Sequence, residues 1–369
     1  MTTHGGFEPV FCTVVPPHIL DRLARQDDPA LSAPAHRTLV RDSELRGRRR
    51  VTTEFALASA PAVTAPSERP LRTVHDAEHR TRLPGTVVRR EGEEPGRDAT
   101  VNRAYAGLGA TFDLFLKAYG RHSIDGDGLP LDATVHYDVD YNNAFWNGEQ
   151  MVFGDGDGEI FLDFTLPIDV IGHELTHGVT QYTANLTYYG QPGALNESMS
   201  DVFGSLIKQY SLGQTAAEAD WLIGAGLLAE RVTGVALRSM KAPGTAYDDD
   251  VLGKDPQPAT MDDYVRTGRD NGGVHINSGI PNHAFYLTAV QLGGHAWERA
   301  GQIWYDVLTG GELPSQALFT DFAALTEKAA AERYGDGGDE HEAVRKAWEQ
   351  VGGAHPAGEA VDRDPCGSQ

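Results

Sequence analysis

The sequence predicts an α+β protein of two lobes, a β-rich half followed by a mostly helical half. Two observations carry this. Between residues 71 and 162, short apolar runs are punctuated by Gly, Asp and Asn, with one helix-length pattern at 102–119. After Pro167 the apolar spacing becomes helical and stays so to about residue 352. A third observation locates function. His173-Glu174-Leu175-Thr176-His177 falls at the junction of the two halves, a favoured place for a cleft.

The bulk numbers exclude several classes. The 369 residues allow two to three domains with a real core. A net charge of -22 argues against nucleic acid and against an anionic membrane surface as partners. Residues 1–50 hold eight Arg and six acidic residues, 8 − 6 = +2, which leaves −22 − 2 = −24 for the remainder, so the start of the chain is weakly drawn to the rest. Two cysteines, Cys12 and Cys366, make no disulfide framework. No apolar run is long enough to span a membrane. The first residues lack a basic start, and the apolar run 10–15 ends at Pro16-Pro17, so no secretory signal is legible.

Taken in order, Pro16-Pro17 enforces extended backbone, and 21–25 reads as a short helix. Residues 28–66 are basic and rich in Pro, Ala and Ser; Arg48, Arg49 and Arg50 read as an exposed loop and a protease-sensitive boundary, and 58–66 as a linker. Strands are expected at 72–75, 85–89 and 133–137. Residues 150–154 and 160–162 flank Asp155-Gly156-Asp157-Gly158 as strand, turn, strand. That turn lacks the terminal Glu of a calcium loop, and Asp125-Gly126-Asp127-Gly128 reads as a plain turn too. Helices are expected around the two His and at 194–210, 216–228, 278–292, 296–308, 315–334 and 339–351. The domains follow as 1–66, an N-terminal segment with its linker; 67–187, the β-rich lobe with the HExxH helix; 188–355, the helical lobe; and 356–369, a tail.

On a helix, residues four apart share a face, so His173 and His177 aim two imidazoles at one point, with the Glu174 carboxylate beside it. Two imidazoles on a cation next to a carboxylate is a layout for activating water. A third protein ligand is needed. Thr180 and Thr183 stand where the HExxHxxGxxH pattern requires Gly and His, which excludes that class. The candidate is then Glu197 on a second helix, 197 − 177 = 20 residues on, with 190–193 as the reversing turn. Asp201, one turn later, is placed to accept a hydrogen bond from a ligand imidazole. A helix-surface carboxylate is the plain alternative for Glu197.

The block 173–201 resembles the thermolysin family of zinc metallopeptidases, and the resemblance extends over roughly residues 70–352. Asn142-Asn143-Ala144-Phe145-Trp146-Asn147-Gly148 is similar to that family's substrate-binding edge strand, and Asp270-Asn271-Gly272-Gly273-Val274-His275 to its second catalytic motif. The resemblance implies a thermolysin-like two-lobed fold and a zinc endopeptidase acting on protein or peptide substrates. It implies zinc on His173, His177 and Glu197, and Glu174 as general base. It further implies His275 and Tyr188 as oxyanion donors, with Asp270 orienting His275. Asn143 and the Ala144 carbonyl would hold extended substrate, Arg238 would bind a substrate carbonyl, and Val170, Ile223 and Leu237 would wall the pocket for the residue after the scissile bond. Cleavage before bulky hydrophobic residues is the expected preference, and a monomer the expected state.

Two departures matter. Members of the family commonly hold paired calcium beside the zinc. Here Asp169 and Asp220 are in place, but Lys208, Leu222 and Ala225 stand where acidic ligands belong, so the paired calcium site is expected to be missing and Lys208 to pair with an acid. The N-terminus resembles the short propeptide of the protealysin-like subgroup, with Cys12, Pro16 and Pro17 in an inhibitory segment laid in the cleft. Self-cleavage is expected near 48–55. Cys12 reads equally as a thiolate approaching the metal or as a small buried hydrophobe. The family is usually secreted, and without a legible signal the location is open between non-classical export and retention. Two other classes compete: a non-catalytic metal-binding scaffold, which would replace Glu174, His275 or Tyr188, and an aminopeptidase, which would need an acidic anchor for the substrate amine.

Overall fold

Three parallel strands form the centre of the first lobe. The structure, a computed structural model, describes residues 12–56 and 67–353, apart from the side chains of 47–56. The chain opens with β1 (Cys12–Thr13), α1 (Pro17–Leu23) and α2 (Pro29–Ala56), then β2 (Arg72–Asp76), β3 (Thr86–Arg90), α3 (Ala99–Tyr119), β4 (Leu131–Val135), β5 (Ala144–Trp146) and β6 (Met151–Phe153). The sheet runs β1-β5-β6-β4-β2-β3, with β2, β4 and β6 parallel and the outer pairings antiparallel. Helix α3 is capped by Asp98, whose side chain accepts from the amides of Thr100 and Val101, and ends at Gly120 in a left-handed conformation. It buries Leu108, Phe112 and Phe115 beneath the sheet.

The second lobe begins with α4 (Ile168–Gln181) and α5 (Gly190–Leu212), which pack along their lengths. Then come β7 (Leu222–Ile223), β8 (Arg238–Ser239), β9 (Asp248–Asp249), β10 (Gly253–Lys254), α6 (Asp270–Asn277), α7 (Gly279–Leu292), α8 (Ala300–Thr309), α9 (Phe319–Tyr334) and α10 (Asp339–Val351). Buried Trp304 and Trp348, with Phe285 and Phe322 against their edges, fill the space between the last helices. No helix among the described residues is long and apolar enough to cross a membrane.

Several sequence expectations need correction. Residues 216–228 are not a helix: Trp221, Gly224 and Gly226 take left-handed φ, and Leu222-Ile223 pairs with Arg238-Ser239. Residues 160–162 form no hairpin strand; only Phe161 bridges, to Leu228. The strand expected to reach Tyr137 stops at Val135 because His136 adopts a φ of 53°. The stretch at Arg48, Arg49 and Arg50 is helical backbone within α2, which tolerates the loss of one hydrogen bond at Pro34. The short helix expected at 21–25 begins earlier, with Pro17 in its first turn. Residues 190–193 are the first turn of α5, so the reversal after the HExxH helix lies at 182–189. The expected linker at 58–66 and the tail at 354–369 lie outside the described residues.

Candidate active site

Helices α4 and α5 bring the two His and Glu197 together, because small residues let their backbones approach. A Cβ on Gly204 would lie 2.6 Å from the Asp169 carbonyl oxygen, and one on Gly172 would lie 3.2 Å from the Gly204 Cα. His173 and His177 are buried on the face of α4 turned to α5. His173 Nδ1 donates to Asp201 Oδ1 at 2.8 Å, and His177 Nδ1 donates to Asn196 Oδ1 at 2.9 Å. Asn196 is held that way round by its own amide nitrogen, which donates to the Leu186 carbonyl at 3.1 Å.

With both Nδ1 atoms donating, both Nε2 atoms present lone pairs, and they face each other at 3.1 Å. Glu197 carboxylate oxygens lie 3.5 Å from each, and Glu197 Oε2 is buried without a hydrogen-bond partner. Three acceptors converging on one buried point, with no proton to share, fit a divalent cation with nitrogen and oxygen ligands. Burial pushes the His177 imidazole down to about 3, the neutral form a ligand needs.

Glu174 sits beside this point. Its Oε2 accepts from the Trp146 amide at 3.0 Å, while Oε1 is buried and has no partner. Burial, reinforced by Glu197, drives its carboxyl well above the usual range. The opposite wall comes from α6, whose left-handed Asn271, Gly272 and Gly273 turn the chain so that His275 faces inward. His275 Nδ1 is 2.6 Å from Asp270 Oδ1, and Asp270 Oδ2 also accepts the His275 amide at 3.0 Å. Burial alone would lower this imidazole, but the Asp270 and Glu197 carboxylates outweigh it and raise it to about 9. The Tyr188 hydroxyl lies 3.3 Å from His275 Nε2 and donates to Glu197 Oε1.

Residues 12–15 cross the cleft as an added strand, Cys12 opposite Trp146 and Thr13 opposite Phe145. The Val14 amide donates to the Ala144 carbonyl at 3.2 Å, and the Val15 amide to Asn143 Oδ1 at 3.0 Å. Arg238 Nη1 donates to the Val14 carbonyl and His275 Nε2 to the Thr13 carbonyl, each at 3.0 Å. Val14, Val170, Ile223 and Leu237 are all buried in the main apolar core of the molecule. The ligand atoms of Cys12, His177 and Glu197 lie within 4.8 Å of one another. Pro16 is extended, as expected, whereas Pro17 opens α1.

Sequence reasoning missed several residues that shape this site. One is Asn196, which accepts from His177 Nδ1. Asp42 of α2 accepts from Tyr141 Oη at 2.5 Å and Asn143 Nδ2 at 3.2 Å, and Thr38 Oγ1 accepts the Asn142 amide at 3.1 Å. A partner about a hundred residues away leaves no local pattern, so no sequence signal could have found these. Arg238 holds Asp201 with two bonds of 2.8 Å as well as the Val14 carbonyl. A cavity of about 480 Å³ lies elsewhere, between α8 and α9, lined by the paired charges Asp306, Arg333, Glu312 and Lys328.

Two family models match the chain: thermolysin metallopeptidase, catalytic domain, over residues 51–181, and thermolysin metallopeptidase, alpha-helical domain, over 184–352. The chain belongs to the thermolysin metallopeptidase family. Among its relatives, the extracellular metalloprotease of Pectobacterium carotovorum subsp. carotovorum is 52% identical over 341 residues, covering 92% of this chain and 96% of that protein. The extracellular minor metalloprotease of Serratia marcescens is 45% identical over 292 residues, 78% of this chain and 79% of that protein. The solved precursor of protealysin, a metalloproteinase from Serratia proteamaculans, superposes with a TM-score of 0.84 at 52% identity, over 92% of this chain and 99% of that one. The thermolysin-like two-lobed fold, the peptidase class and the likeness to a precursor form thus agree with the sequence reading.

Proposed function

We propose that this thermolysin-family metallopeptidase is an endopeptidase that prefers to cut before bulky hydrophobic residues and is made as a self-blocked precursor. His173, His177 and Glu197 would hold zinc, which polarises a bound carbonyl and makes water more acidic. Glu174 takes a proton from the attacking water at Oε1, its unpartnered oxygen, and passes it to the departing amine. His275 and Tyr188 donate to the oxyanion, and Asp270 positions His275; removal of one such donor costs about 3–4 kcal/mol of transition-state stabilisation. Asn143, Ala144 and Arg238 hold the peptide backbone.

The observation that carries this reading is the meeting of three buried acceptors beside the free oxygen of Glu174. The test is casein digestion with fragment mapping. Internal cuts are expected before Leu, Ile, Val or Phe, and the activity should vanish in Glu174→Gln while bound zinc stays. Zinc-free active enzyme, or fragments trimmed only from their ends, would overturn it.

Residues 1–66 are the proposed propeptide and linker, with Cys12, Pro16 and Pro17 in the inhibitory segment and 67–187 and 188–355 as the lobes it blocks. The seating of residues 12–15 on Asn143, Ala144, Arg238 and His275 supports this. Removal is proposed near 48–55, and a purified chain that always begins at Met1 or Thr2 would contradict it. The paired calcium site is proposed to be replaced by Lys208, whose Nζ lies 3.1 Å from Asp169 Oδ2 and 2.8 Å from Asp220 Oδ2. Two tightly held calcium ions in metal analysis would sink that proposal.

A further inference from the structure

We infer that the N-terminal strand is bound in the direction of productive attack, so that Thr13–Val14 is a bond this chain cuts in itself. The inference rests on the endopeptidase reading and deepens it.

Four hydrogen bonds set both the polarity and the register of the strand. The Thr13 carbonyl accepts from His275 Nε2, so it occupies the oxyanion side of the site. The next amide, that of Val14, donates to the Ala144 carbonyl; the Val14 carbonyl accepts from Arg238; and the Val15 amide donates to Asn143 Oδ1. A strand running the other way would exchange N–H and C=O along this row and meet donors with donors. A register one residue earlier or later would move a different carbonyl onto His275 and take Val14 away from Arg238. The residue after the presented carbonyl is Val14, an apolar side chain that is fully buried. The blocking segment therefore carries a buried apolar residue at the position after the presented carbonyl, as the proposed preference requires.

Hydrolysis balances without any further reagent. Water oxygen bonds to the Thr13 carbonyl carbon, the Thr13–Val14 C–N bond breaks, and both water protons end on the Val14 nitrogen, the first carried by Glu174 to the departing amine and the second given up by the new carboxylic acid. The products are a Thr13 carboxylate and a Val14 ammonium.

The cut does not by itself empty the cleft. Beyond Val15, α1 buries Ile19, Leu20 and Leu23; His18 Nε2 lies 2.9 Å from the Tyr247 hydroxyl; and Arg22 donates to the carbonyls of Asp250 and Val251. The new Val14 terminus stays attached to these anchors. This nick is thus a separate event from removal near 48–55, and the nicked chain remains blocked.

The full chain with bound zinc is incubated near neutral pH, and its N-termini are labelled and mass-mapped over time, with casein digestion followed in parallel. A synthetic peptide of residues 8–20 is added to the reaction once casein is being cut. A chain beginning at Val14 is expected in the parent and absent in Glu174→Gln. The peptide should be cut between Thr13 and Val14, and at least about tenfold more slowly when it carries Val14→Asp, since a carboxylate is costly in an apolar pocket. Casein digestion with no chain beginning at Val14, and with the peptide left whole or cut at another bond, would overturn the inference alone. If casein also stays intact, the endopeptidase reading fails and the inference falls with it.

Discussion

Asp201 ties the proposed zinc side of the site to the proposed substrate side. It accepts from His173 Nδ1, from Arg238 Nε and Nη2, and from Asn282 Nδ2, each at 2.8 Å. Burial works to raise its carboxyl, but the Arg238 guanidinium and His173 outweigh it and hold Asp201 well below the usual carboxylate range. Asp201→Ala would leave the buried Arg238 cation without its partner, a change that costs about 3–5 kcal/mol. It would also free His173 to rotate, lowering metal affinity about 10–100-fold. Thermal unfolding and competitive zinc titration measure the two effects, and a variant with parental values in both would refute this role. Asp201 was legible in the sequence because it stands one helical turn after Glu197, on the same face. Its pairing with Arg238 was not, since β8 reaches α5 only in the folded chain. At the same scale, Asp270→Ala should lower kcat about 10–100-fold with zinc content unchanged, because His275 loses the partner that orients its ring. An unchanged kcat would show that the His275 ring is held some other way.

At the scale of elements, the pairing of α4 with α5 decides whether the three proposed ligands meet. Periodicity found both helices, and the HExxH register gave their facing residues. Periodicity failed at 216–228, where apolar residues at helical spacing are overruled by left-handed backbone at Trp221, Gly224 and Gly226. At Asn271, Gly272 and Gly273 left-handed backbone likewise interrupts α6 before the helix continues through His275. Glycine has a different use at the α4–α5 contact. A methyl at Gly204 would meet the Asp169 carbonyl at 2.6 Å and the His173 amide nitrogen at 3.1 Å, both backbone atoms that cannot swing aside. Gly204→Ala should therefore push the helices apart, cost about 1–3 kcal/mol as an overpacked core does, and loosen Glu197 from the two imidazoles. A lowered Tm together with less than one zinc per chain is the expected pair of readings. A folded variant with full zinc and parental Tm would mean that the helix contact does not position the ligands.

For the whole molecule, the N-terminal segment docks through two buried ionisable groups that titrate in opposite senses. That an extended segment enters the cleft was legible from Pro16-Pro17 and the family resemblance; that α2 delivers a buried carboxylate to Asn143 was not. Asp42 faces the Tyr141 hydroxyl and the Asn143 amide, with Arg46 nearby; burial dominates and lifts its carboxyl from 3.8 to about 6. The docked form then binds more protons than the free one. Its stabilising contribution is complete below about pH 4 and is lost as pH rises through about 6. His18 faces the Tyr247 hydroxyl, with Asp270, His275 and Arg238 in range. Burial lowers its imidazole from 6.5 to about 4, against the opposing pull of Asp270. Here the docked form binds fewer protons, so the contribution is complete above 6.5 and is lost as pH falls through about 4.

Across the interval from about pH 4 to 6 the two slopes oppose each other in the parent, and removing either group exposes the other. Asp42→Asn should make docking weaken on acidification, and His18→Gln should make it strengthen, each by at most about a hundredfold for shifts of this size. Hydrogen exchange at the amides of residues 12–15, followed in a Glu174→Gln background from about pH 4.5 to 7.5 and corrected for intrinsic rates, reads docking without self-cleavage. Variants whose profiles run parallel to the parent would mean that neither group's titration is coupled to docking. Profiles that diverge in opposite directions would mean that the blocked state holds over the acidic range through two opposed burials.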